Sequence, residues 1–208
     1  MVAAPDRRFD PHAPNDPAVE AAFRAVPETK IAEIINGQLY TMPRPGRRHT
    51  KASSELLTEL APPFRRGRGG PGGWIILHEP ELHFGHRPDK LVPDLAGWRA
   101  DRLPDLTGEE DVAHYDVIPD WICEILSPST AGRDRAQKMD VYRREGVRHV
   151  WLLDPMGRGL EIFRLEGVNY VRAGAFYGDV AVRAEPFDAI ELDLSVLWMG
   201  PTPALEEG

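Results

Sequence analysis

"DWICEILSPSTAGRDRAQKMDVYRREGVRHVWLLD", residues 120–154, decides the architecture. Its ends, 120–126 and 148–154, are apolar runs in which apolar and polar side chains do not alternate. Such runs predict strands inside a sheet, covered on both faces. The polar middle, 127–146, predicts a helix. Ser127, Ser129 and Thr130 are available N-caps, and Gly146 stands where a C-terminal glycine belongs. Two strands joined by one helix make a parallel, right-handed crossover. The chain is therefore expected to be α/β, with a mixed central β-sheet flanked by helices.

The flanking sequence adds to this unit. "WIILHEPELHF" (74–84) and "KLVPDLAGWR" (90–99) predict two further strands, the second with Pro93-Asp94 near its start, where a strand tolerates proline. "RHTKASSELLTELAPPF" (48–64) predicts a helix with an apolar stripe at Ala52, Leu56, Leu57 and Leu60, ended by Pro62 and Pro63. "DPAVEAAFRAVP" (16–27) predicts a short helix, and "LPDLTGEEDVAHYD" (103–116) a polar loop. "TKIAEIINGQLYTMP" (29–43) is a hairpin turning at Asn36-Gly37, and "GLEIFRLEGVNYVR" (159–172) is a second, so extra β-hairpins are expected at both ends. The expected organisation is a flexible N-terminal tail at 1–16, a single domain at 17–200 and a C-terminal tail at 201–208.

Composition narrows the function. The 208 residues are 42% hydrophobic and 28% charged, ordinary for a globular domain. No apolar run reaches the roughly 20 residues that span a bilayer, and the N-terminus lacks a hydrophobic signal core. No membrane association is expected. Cys123 is the only cysteine, so no internal disulfide forms, which fits a cytoplasmic location. HxE-type and CxxC spacings are absent, so no motif marks a structural zinc. A net charge of −8 argues against a protein held on nucleic acid by bulk charge alone. The basic residues nevertheless cluster in "RPGRRHTK" (44–51) and "RRGR" (65–68), at the two ends of the predicted helix. They form either a solvated helix surface or a phosphate-facing rim.

The acid inside the apolar strand needs a reason. Side chains alternate between strand faces, so Trp121, Cys123 and Ile125 share one side and Ile122, Glu124 and Leu126 the other. A carboxylate among apolar neighbours is costly unless it meets a cation, and a shared divalent ion or a basic residue on the following helix would serve. Asp94 is the natural second carboxylate, from a strand that can lie beside 120–126; its local alternative is to cap a turn after Pro93. Two carboxylates on adjacent strands suit magnesium (Mg2+) or manganese (Mn2+). Lys138 is the only lysine after Lys90. It either orients or deprotonates a water, or makes a surface pair with Asp134 four residues before it.

Taken together, "AEIINGQLYTMPRPGRRH", "VPDLAGW" and "PDWICEILSPSTAGRDRAQKMDVYRREGVRHVWLLDP" resemble the Uma-two family of restriction-endonuclease-like proteins, in the PD-(D/E)XK nuclease superfamily. The resemblance spans about residues 17–198. It implies a restriction-endonuclease-like core and metal-dependent endonuclease cleavage of DNA phosphodiesters. By that resemblance Asp94 is the first acid of the motif and Glu124 the second, and the two hold the metal. The superfamily lysine two residues after the second acid is here Leu126, and Lys138 resembles its migrated equivalent. His49, at the start of the first long helix, matches a family position and would contact phosphate or complete the site. Glu33 matches another, and a third metal ligand is expected from Glu79, Glu81 or Glu33. DNA is the expected partner. A homodimer is also expected, because nucleases that cut both strands often pair two sites. The alternative is a catalytically silent nuclease-fold module that binds nucleic acid or a protein partner.

Overall fold

The computed structural model describes residues 15–85, 89–102, 112–127, 132 and 134–198. At its centre two strands, β7 (Trp121–Ile125) and β8 (His149–Asp154), pair in parallel with Glu124 opposite Leu152. The apolar runs thus lie inside a sheet, as their composition predicts. Four antiparallel strands complete it: β6 (Leu95–Arg99) and then β3 (Trp74–His78) on one side, β9 (Gly159–Glu166) and then β10 (Asn169–Tyr177) on the other. The β9–β10 hairpin is the second predicted one, turning at Gly167, whose φ is +60°.

A second sheet is not legible in the sequence. It contains β1 (Lys30–Ile35), β2 (Gln38–Pro43), β4 (Leu82–Phe84) and β5 (Asp89–Leu91), in the order β2-β1-β5-β4. The first predicted hairpin is its β1–β2 half, and Asn36 (φ 51°) and Gly37 (φ 74°) both take the left-handed conformation that a tight primed turn needs. Each strand expected at 74–84 and 90–99 is in fact two strands in different sheets. The first breaks at Glu79, forced to φ 45° ahead of Pro80. The second breaks at Val92-Pro93, where proline has no N–H for a ladder and restricts its predecessor. Pro93 therefore carries the chain from one sheet to the other and delivers Asp94 to the head of β6.

The helices also differ in detail from the expectation. α1 (Pro17–Arg24) is capped by Asp16, whose Oδ1 accepts from the Ala18 amide at 2.8 Å, and Asn15 bonds Glu20. These two residues belong to the helix cap rather than to the expected tail; the rest of the tails, 1–14 and 201–208, lies outside the described residues. α2 (Arg47–Leu60) ends before Pro62 and Pro63, but the chain stays helical through a wider π-type turn, Ala61–Arg65. The predicted helix at 127–146 is described from a π-type turn, Asp134–Lys138, followed by α3 (Met139–Glu145). Residue 132 is also helical, and Ser129 and Thr130, two of the three expected N-caps, fall outside the described residues. Gly146 closes α3 at φ 83°, as predicted.

The main sheet is covered on both faces. One face packs Trp74, Trp121 and Trp151 against Ala52, Leu56 and Leu60 of α2 and against Phe187, Leu194 and Leu197 of the C-terminal segment. Phe187 is the hub, with ring centroids 4.7–5.7 Å from Phe64, Trp74, Trp121 and Trp151. A Cβ at Gly97 would sit 3.1 Å from the Trp121 ring, so the missing side chain makes room for Trp121 beside β6. The other face packs Ile122, Val150 and Leu152 against Val141 and Tyr142 of α3 and against Ile35, Leu82 and Leu91 of the second sheet. The alternation along β7 is as read from the sequence, and Glu124 faces this second layer.

Candidate active site

β6 and β7 pair up to Leu95 opposite Cys123, and the ladder stops there. One residue beyond, the Asp94 side chain replaces the missing backbone acceptor: its Oδ2 accepts from the Ile125 amide at 2.6 Å. This bond holds the Asp94 carboxylate against β7 beside Glu124. Its other oxygen, Oδ1, lies 3.0 Å from His49 Nε2 in the first turn of α2. Pro93 fixes where the strand begins, the register fixes which amide is left over, and α2 supplies the imidazole.

Glu124 is 3% exposed. Lys138 Nζ lies 2.7 Å from Glu124 Oε1 and 2.9 Å from Glu33 Oε1, and the Tyr142 hydroxyl donates to the same Glu124 oxygen. The lysine spans the gap from the turn before α3 to the face of β7 that carries Glu124. Lys138 and Tyr142 are four residues apart and so share one helical side. Tyr142 has its own contact with the acid, a role the sequence reading did not assign; the four-residue spacing was the available signal. Glu33, on β1, is fully buried and also accepts from the Val92 amide at 3.0 Å; its Oε2 has no partner among the described residues. The surface pair expected between Asp134 and Lys138 does not describe Lys138, which is buried on two other acids; the Asp134 side chain lies outside the described residues.

A cavity of about 170 Å³ opens over this group. Its wall includes Asp94, Glu124, Lys138, His49, Arg44 and Ser127. Of the three acids offered as further ligands, Glu33 meets Lys138. Glu79 instead pairs with Arg44 at 3.3 Å and Glu81 with His83 at 2.7 Å, and neither lines the cavity. The basic clusters also separate. Arg44 and His49 reach the cavity, but 65–68 follows the far end of α2, 16 residues from His49 or roughly 24 Å along a helix. A single basic rim is thus limited to the 44–51 end. Burial pushes the Cys123 thiol well up, and the charges of Asp94 and Glu124 add to the shift, so this cysteine is a packing group.

A mixed sheet with two carboxylates at the ends of neighbouring strands, and a helix-borne lysine over them, defines a restriction-endonuclease-like α/β fold. The chain belongs to the Uma2 family, described as "putative restriction endonuclease", whose model matches residues 20–196. Among solved structures it is similar to a "putative nuclease belonging to DUF820" from Anabaena variabilis ATCC 29413, at a TM-score of 0.69 and 21% identity, over 86% of this chain and 96% of that one. No curated protein matches. No helix among the described residues is long and apolar enough to cross a membrane.

Proposed function

We propose that this protein is a magnesium-dependent endonuclease that hydrolyses DNA phosphodiester bonds. One observation carries the reading: Asp94, Glu124, Lys138 and His49, from four separate segments, meet at the wall of one cavity. The donor set fits a hard divalent ion. Two carboxylates from adjacent strands offer oxygen ligands, and the cavity has room for the waters that Mg2+ or Mn2+ retains. Asp94 and Glu124 would hold the ion. When bound, it supplies charge stabilisation at the phosphate and makes water a better nucleophile.

The chain's own groups do the rest. Lys138, fixed between Glu33 and Glu124, holds its ammonium at the edge of the acid pair, where it orients the attacking water. Water attacks phosphorus in line and gives up a proton to solvent; a new P–O bond forms, the opposite P–O bond breaks, and the leaving oxygen takes a proton from solvent as the strand is cut. Arg44 and the first turn of α2, with His49, face the cavity where a backbone phosphate would lie. A second copy of the chain would bring a second site to the opposite strand; light scattering that shows only monomer removes that part.

One observation favours a silent binding module instead. Glu124 already meets Lys138 and Tyr142, and Asp94 already meets His49 and the Ile125 amide, so an ion has to compete with them. The test is plasmid nicking with Mg2+ or Mn2+, with calorimetric titration of the same ions. Nicking by wild type, reduced at least about 10³-fold in Glu124→Ala, supports the nuclease. Absence of nicking, with DNA binding that ignores both metal and Asp94→Ala, rejects it.

A further inference from the structure

A second group of metal-type ligands lies away from the cavity. Leu82 of β4 bridges Tyr115 in parallel, with His83 N donating to Tyr115 O at 3.0 Å and Tyr115 N donating to Glu81 O at 2.8 Å. Leu82 and Tyr115 turn inward to the core. By strand alternation their neighbours Glu81, His83, His114 and Asp116 share the opposite face. The His83 and His114 rings stack, centroids 3.8 Å apart and 11° from parallel. His83, His114 and Asp116 each offer one ligand atom, all within 4.8 Å of one another. Glu81 Oε1 lies 2.7 Å from His83 Nε2.

We infer that His83, His114 and Asp116 form a second metal site, selective for a borderline divalent ion such as Zn2+, Ni2+ or Co2+. Two imidazoles and a carboxylate are a poor set for Mg2+ or Ca2+, which take oxygen, and a good one for these ions. Glu81 orients the His83 ring as carboxylates do behind metal-bound histidines. The lone pairs of parallel rings do not converge, so ligation tilts the two rings apart about their soft terminal torsions. His83 and His114 are 31 positions apart, which is why no short motif announces the site. The ion would staple the β6–β7 connection to β4 beside Tyr115, whose ring packs 5.3 Å from Trp98.

The test is Zn2+ titration of the full chain against a competing chelator, with Mg2+ in excess to occupy the carboxylate pair. A single Zn2+ should bind, persist in Asp94→Ala/Glu124→Ala, disappear in His83→Gln and in His114→Gln, and weaken about 10–100-fold in Glu81→Gln. Zn2+ binding that vanishes with Asp94→Ala/Glu124→Ala, or survives both histidine variants, overturns the proposal. A readout on wild type avoids any folding defect. Paramagnetic Co2+ should broaden the ring signals of His83 and His114 before those of His49; His49 broadening first also overturns it.

Discussion

The two faces of β7 are built on opposite terms. On one, Trp121, Cys123 and Ile125 enter an aromatic layer closed by Phe187. On the other, Ile122 and Leu126 bracket Glu124, and the layer holds three buried charges, Glu33, Glu124 and Lys138, knotted together. Six successive residues, 121–126, thus serve a face that gains from excluding water and a face that pays a desolvation cost. A dry aromatic layer is stabilising outright. A buried ion triad is at best neutral against well-packed apolar side chains. The aromatic face offsets the desolvation of the charged one.

Either face can be disrupted by a single substitution. Lys138→Met should destabilise the fold by about 3–5 kcal/mol, because it strands two buried carboxylates without a cation. Phe187→Ala should cost a similar amount, about 3–5 kcal/mol, through a cavity among four rings. Urea unfolding measures both. The causes then separate. Adding Glu33→Leu and Glu124→Leu to Lys138→Met should restore stability and exceed wild type by about 1–4 kcal/mol, while nicking stays absent. A triple variant that remains as unstable as Lys138→Met would show that the charges hold the layer together.

The smallest effect concerns pH on the aromatic side. His149 lies opposite Trp121 in the β7–β8 ladder. Burial lowers its pKa from 6.5, outweighing the pull of Glu185, with Arg164 and Arg148 adding a little. The unfolded chain therefore takes up the proton first as pH falls. Stability is intact above about pH 6.5 and declines below it. His149→Gln should flatten that decline, measured as the denaturation midpoint across pH 7.5 to 5; an unchanged slope would remove His149 as its source.

Much of this was legible in residues that act locally. Asn36-Gly37 dictates its turn, Gly146 dictates the end of α3, and the unbroken apolar runs of β7 and β8 dictate a two-sided position. The alternation that isolates Glu124 from Trp121 follows from period two alone. What was not legible depends on where separate segments meet. Glu33 reads as a hairpin residue, and its place under Lys138 is set by a second sheet in which β1 and β5 pair at Ile34 with Lys90. Glu79 reads as a possible ligand beside Asp94, yet its left-handed backbone turns it toward Arg44. Pro80 lies inside a run that reads as one strand and Pro93 near the start of another; that each marks a transfer between sheets is a property of tertiary packing.

The Phe187 hub bears on the order of synthesis. All six strands of the main sheet have been made once residue 177 leaves the ribosome, and the sheet can pair in full. Its aromatic face is then covered only in part, by α2 and Phe64, until ten more residues bring Phe187 over Trp74, Trp121 and Trp151. For that interval the nascent chain presents the Phe187 side of three indoles to whatever surrounds it. This is the form most prone to stick to another nascent copy or to be taken up by a chaperone.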